Sequence, residues 1–145
     1  MPFETLFPTN VFAGTITAAA HEHGGEPPQS IIRTNQSWAV NVSWTNTGSA
    51  TGMIGGTWDL HLLLERIGPG DDLDLTDSVL SDHIIPLTPG VSPVNYSRHV
   101  DVPANRVPAG VYKLVVLLRY IEPTGAPGPI SAYEEISPLL EFYNP

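Results

Sequence analysis

Two stretches in the middle of the chain alternate strictly between apolar and polar positions. From Trp38 to Thr45, Trp38, Val40, Val42 and Trp44 fall on one side, with Ala39, Asn41, Ser43 and Thr45 on the other. From Trp58 to Glu65, Trp58, Leu60, Leu62 and Leu64 form one set, while Asp59, His61 and Glu65 oppose them and Leu63 is the one apolar residue on their side. A period of two is the period of a half-buried β-strand. A slip of one residue would turn two tryptophans or three leucines into water, so the register of each strand is strongly fixed. Two such faces predict the core of a β-sandwich, with Gly48 to Gly56 as the turn between this central pair.

The remaining pattern supplies the other strands. Val11 to Ala20 reads as a first strand, with Phe12, Ile16 and Ala18 on one face and Thr15 and Thr17 on the other. Its small side chains place it at a sheet edge or under a close neighbour. Ser30 to Arg33 is a short strand or a switch between sheets. After Ile67, the segment GPGDDLDLTD is a loop that turns strand-like where Leu73 and Leu75 alternate with aspartates, and Val79 to Leu87 offers a short edge strand. Val94 to Val102 sets Val94, Tyr96, Val100 and Val102 against Asn95, Ser97, His99 and Asp101. Arg98 interrupts the apolar side, so either its stem lies along the core and its head snorkels out, or a bulge reorients it. Val111 to Ile121 is apolar on both faces, the pattern of a strand in the middle of a sheet that is covered on both sides, a partner chain being one candidate cover. Ile130 to Ile136 is a last long strand, and Pro138 breaks it before LLEFY.

Composition narrows this to one domain. The chain has 145 residues and is 41% hydrophobic, enough for one sizeable core and too short for two ordinary domains. Its 15 prolines and 13 glycines lie between the alternating runs and read as the many turns of an all-β protein. Residues 1–10 form an apolar amino-terminal segment, and 11–145 the sandwich domain. Only 6 Lys and Arg stand against 15 Asp and Glu, and a net charge of −9 is repelled by phosphate backbones and anionic membranes. There is no cysteine, hence no disulfide and no thiolate chemistry. The opening MPFETLFPTN has no signal-peptide core, and no eighteen apolar residues run together. The expectation is a cytoplasmic protein, or an extracellular one exported by a leaderless route. The N-x-Ser triplets at Asn35, Asn41 and Asn95 then read as plain polar surface.

The run VNVSWTNTGSATG at 40–52, LTPG at 87–90 and VPAGVYKLVV at 107–116 resemble the bacterial immunoglobulin-like sandwiches, in particular the cell-adhesion-related domain of bacterial surface proteins. The resemblance covers about half the chain. It implies a single immunoglobulin-like antiparallel β-sandwich with Greek-key connections. It also makes Tyr112 the tyrosine corner of that fold, its hydroxyl tied back to an upstream loop. No catalytic residue comes with the resemblance.

Candidate chemistry is sparse. His21-Glu22-His23 would project two imidazoles from one strand face at a spacing that suits one metal ion, with Glu26, His61, His83 or His99 as a third ligand. Asp71, Asp72, Asp74 and Asp77 could gather oxygen ligands for calcium, but no glycine marks a sharp turn and no glutamate closes the loop as an EF-hand requires. Solvated histidines and an acidic surface loop are the better readings of both, and no metal or other cofactor is expected. The tryptophans read as core and not as a carbohydrate platform. Adjacent carboxylates such as Glu134 and Glu135 point to opposite faces of a strand and cannot flank one substrate, and no serine sits in a nucleophile elbow, so no enzyme is expected.

What remains is a structural or interaction module. Phe3, Leu6, Phe7, Val11 and Phe12 at one end, with Leu139, Leu140, Phe142 and Tyr143 at the other, are apolar where chains usually fray. Such ends must pack on the chain's own sandwich or on a neighbour. The leading expectation is self-association into an oligomer or filament through strand edges or terminal segments. A module that binds calcium or carbohydrate is the alternative.

Overall fold

The computed structural model describes residues 2–22, 30–51, 55–76, 84–88, 90–136 and 138–145. The named elements in them are all β-strands: β1 (Glu4–Thr5), β2 (Ala13–Glu22), β3 (Ile31–Arg33), β4 (Trp38–Thr47), β5 (Thr57–Ile67), β6 (Leu73–Asp74), β7 (Ile84–Pro86), β8 (Val94–Val102), β9 (Gly110–Ile121), β10 (Pro127–Glu135) and β11 (Leu140–Tyr143).

These strands build two sheets. The smaller has three strands in the order β2-β4-β8, antiparallel throughout. The larger has eight, organised around β5 and β9, which pair from Thr57 opposite Ile121 to Ile67 opposite Val111. Short strands β6 and β7 flank β5 on its far side, while β10 and β11 divide the far side of β9 between them. Beyond these lie β1 on β10 and β3 on β11, the last pair being parallel. The chain changes sheet between β1 and β2, β2 and β3, β3 and β4, β4 and β5, β7 and β8, and β8 and β9. Crossings of this kind are the Greek-key connections of an immunoglobulin-like sandwich.

The alternating faces lie where the sequence put them. Trp38, Val40, Val42 and Trp44 on β4 and Trp58, Leu60, Leu62 and Leu64 on β5 are all buried. Although consecutive, β4 and β5 are not hydrogen-bonded to each other, because they sit in opposite sheets and meet across the core. Gly48, in the connection between them, has φ of 112°, and a side chain there would begin 2.4 Å from the carbonyl oxygen of Val11. Only glycine accepts both that conformation and that approach. The register from Trp38 opposite Val102 to Asn46 opposite Val94 is unbroken, so Arg98 sits at no bulge and its head snorkels. On β9, Tyr112, Leu114, Val116, Leu118 and Tyr120 are buried inward; on the outer face Val115 is buried while Val111 and Leu117 are half-buried, so that face is covered only in part. The strand expected over 11–20 runs instead over Ala13–Glu22, and the stretch expected over 79–87 is described only as β7.

Aromatic rings join the two sheets. Trp44 stacks on Tyr96 within the smaller sheet at 5.3 Å between centroids, and Tyr96 meets the edge of Trp58 across the core at 6.3 Å. Trp58 also takes Phe3 at 5.6 Å, and Phe142 lies between Trp38 at 5.2 Å and Tyr112 at 5.7 Å. The amino-terminal segment therefore belongs to the sandwich. Its Phe3 N–H donates to the Gly14 carbonyl on β2 at 2.9 Å, while Glu4 and Thr5 pair with Ser131 and Ile130 on β10.

Candidate functional site: the edges of the smaller sheet

An open sheet ends in strands whose outer main-chain groups lack a neighbour, and proteins blunt such edges with charges, prolines, bulges or a covering segment. Strands β2 and β8 are the edges of the smaller sheet. On β2 the Gly14 carbonyl points away from β4, since it accepts from Phe3. In an antiparallel pair this direction alternates, so the main-chain groups of Ala18 and Ala20 also point away from β4. The segment Pro2–Phe3 covers this edge at Gly14 and Thr15. No described strand follows it alongside Thr17 to His21. That stretch reads Thr-Ala-Ala-Ala-His, without proline, lysine or a break in register.

Strand β8 is treated differently. The same alternation carried across β4 turns the Ser97 carbonyl outward, and Arg98 Nη1 donates to it at 3.0 Å. A charged side chain that starts on the core side of an edge strand and folds over the rim is a direct guard against pairing. The two edges of one sheet are thus unequal.

The terminal residues named from the sequence divide into two groups. Phe3, Phe12, Leu140 and Phe142 are buried in the chain's own core, which removes them from any contact with a neighbour. Val11 is half-buried. Leu6 is 86% exposed, and Phe7, Leu139 and Tyr143 are exposed as well. A groove of about 160 Å³ lies beside the amino-terminal segment, lined by Pro2, Phe3, Glu4, Ser131 and Tyr133. Leu139 and Tyr143 join Ile31, Ile67, Ile84 and Tyr133 on the outer face of the larger sheet, whereas the outer face of β2, β4 and β8 carries only small or polar side chains.

The metal candidates are held in protein contacts. His21 Nδ1 lies 2.9 Å from the Glu22 carbonyl and Nε2 lies 3.1 Å from Asn41 Nδ2, so both ring nitrogens are engaged. Asp72 Oδ1 accepts from the Arg66 N–H at 2.8 Å, and Asp74 Oδ1 accepts from the Thr76 N–H at 2.9 Å. Both carboxylates therefore serve the loop that carries them. Among the described residues no three His, Asp or Glu side chains gather as a metal-binding group. His23, Glu26, Asp77 and His83 lie outside the described residues.

Two polar groupings were not foreseen. The alternation of β5 sets Asp59 toward water, yet it is only 7% exposed, because His61 Nε2 at 2.8 Å and Arg119 at 3.2 Å close over its carboxylate. The Asp-x-His spacing on one strand face was the available signal; the arginine comes from the neighbouring strand and needs the register. On the other sheet His21, Asn41 and His99 form a continuous row ending at Asp101. Tyr133 Oη donates to Glu135 at 2.7 Å, which pushes the Tyr133 phenol up to about 12 and lowers the Glu135 carboxyl. Tyr112 Oη donates to the Pro108 carbonyl at 3.0 Å and accepts from Arg66 at 3.0 Å, the tie expected of a tyrosine corner.

No protein-family model matches the chain. No curated protein matches it either. Among solved structures, the chain is similar to a Niemann-Pick type C2 protein from Japanese carpenter ant, at 10% identity over 89% of each chain with a TM-score of 0.45. It is also similar to a target of the Northeast Structural Genomics Consortium, at 12% identity over 89% of this chain and 88% of that one, with a TM-score of 0.36. No helix among the described residues is long and apolar enough to cross a membrane.

Proposed function

We propose that this chain is a non-enzymatic structural module that associates with copies of itself through the β2 edge. The observation that carries the reading is the inequality of the two edges. Arg98 closes the rim of β8, while Ala18 and Ala20 on β2 present main-chain donors and acceptors beside small side chains. Two copies meeting edge to edge about a twofold axis join their three-stranded sheets into one continuous sheet, and each hydrogen bond formed on one side is repeated on the other. The exposed Leu6 and Phe7 are the terminal residues available to add apolar contact. A net charge of −9 opposes the approach of two copies, so association strengthens as salt screens it.

Amide hydrogen exchange across a concentration series tests this reading. The amides of Ala18 and Ala20 are expected to slow as protein concentration rises, while those of Ser97 and His99 on β8 stay unchanged. Equal exchange at all concentrations for Ala18 and Ala20 contradicts it.

A further inference from the structure

The outer face of the smaller sheet carries a hydrogen-bonded row that crosses all three strands. It runs from the Glu22 carbonyl to His21 Nδ1 at 2.9 Å, from His21 Nε2 to Asn41 Nδ2 at 3.1 Å, from Asn41 Oδ1 to His99 Nδ1 at 2.5 Å, and from His99 Nε2 to Asp101 Oδ1 at 3.0 Å. The two rings lie 5.9 Å apart with the Asn41 amide between them.

The direction of donation along this row is constrained. A neutral imidazole donates from one nitrogen and accepts at the other, and the amide has one donor end and one acceptor end. A chain of such units passes donation in one direction, so one of its ends must meet an acceptor and the other a donor. Here both ends meet acceptors, a carbonyl at Glu22 and a carboxylate at Asp101. One unit must therefore donate on both sides. The amide cannot, whereas an imidazole carrying a second proton can. With Nδ2 toward His21 that unit is His99; with the amide turned over it is His21. If both rings were protonated, two N–H groups would converge on Asn41 and its Nδ2 would face a donor.

We propose that the row is a proton-binding device: His21 and His99 share one proton, and reorientation of the Asn41 amide passes it between them. Among the described residues the titratable neighbours are Glu22 on β2, whose Oε1 accepts from the Arg33 N–H at 3.2 Å, and Asp101 on β8, while β4 contributes only the neutral Asn41. Arg98 stands on the opposite face of β8. With the proton bound, every link from β2 to β8 is made. When it leaves, no orientation of Asn41 satisfies all of them, and one side-chain tie across the sheet is lost. This inference does not depend on self-association.

Nitrogen-detected magnetic resonance of the imidazole rings tests it. As pH falls, both rings are expected to shift in one common step worth a single proton, with a second proton entering in a separate step at lower pH. Asn41→Leu is expected to abolish the common step and leave two independent titrations. Asp101→Asn supplies an amide that can donate back into the row, so the common step is expected to move to lower pH even if Asn41→Leu does not fold. Independent titration of the two rings in the intact protein, unaltered by Asp101→Asn, overturns the proposal.

Discussion

Arg98 donates from its guanidinium to the carbonyl of Ser97, the residue before it, at 3.0 Å. The cation stands on the core side of an edge strand and covers that strand's own rim. Replacing it with alanine uncovers a second pairing edge on the same sheet. Arg98→Ala is expected to convert a limited assembly into larger ones, because a module with two open edges extends without closing. Light scattering at equal protein concentration reads this directly, and an unchanged particle size speaks against the guard role.

Trp58 touches Phe3, Tyr96 and Tyr120 and has no exposed surface. It therefore joins the amino-terminal segment, the smaller sheet and the centre of the larger one. Trp58→Ala is expected to cost about 3 to 5 kcal/mol, the usual range for an aromatic removed from a packed core. Urea titration measures it. A loss below about 1 kcal/mol would be typical of a surface position and would contradict the packing described.

Tyr112 is fully buried, and its hydroxyl serves two partners, the Pro108 carbonyl and Arg66. In Tyr112→Phe the ring remains and both partners lose a bond within a half-buried site. The expected cost is about 1 to 3 kcal/mol. A neutral substitution in the same titration would show that water replaces the hydroxyl without penalty.

How much of this was readable from the chain depends on dimension. Alternation is a property of one strand, so the faces of β4, β5, β8 and β9 followed from Trp38, Leu62, Tyr96 and Leu114 alone. Sheet membership is a property of pairs. The glycine-rich connection from β4 to β5 suggested a turn between neighbours, yet the two strands lie in opposite sheets, and local pattern holds nothing that distinguishes the cases. Whether Phe3 packs on its own sandwich or on a neighbour stays open in the sequence, because its distance along the chain from Trp58 hides their contact. The row through His21, Asn41 and His99 requires the joint register of three strands, and Arg98 could be placed only once that register proved continuous.

The hydrogen bond from Tyr133 to Glu135 is the chief cause of the high Tyr133 value, about 12, with smaller contributions from desolvation and nearby carboxylates. The folded chain then holds the phenolic proton over a pH range where the unfolded chain releases it. Between about pH 10 and 12 stability is expected to fall as pH rises, since the native state binds more protons there. Phenolate absorbance checks the assignment: Glu135→Gln is expected to return one tyrosine toward the ordinary range. An identical titration curve in the variant contradicts it.

The central claim is that the chain pairs with its own copies through β2, and sedimentation velocity on the unmodified protein at micromolar concentration tests it most directly. The account predicts a species larger than a monomer that grows with salt and reverts toward monomer in the double variant Thr17→Lys and Ala19→Lys, which lines the edge with charge. A monomer at every concentration and salt level would contradict it.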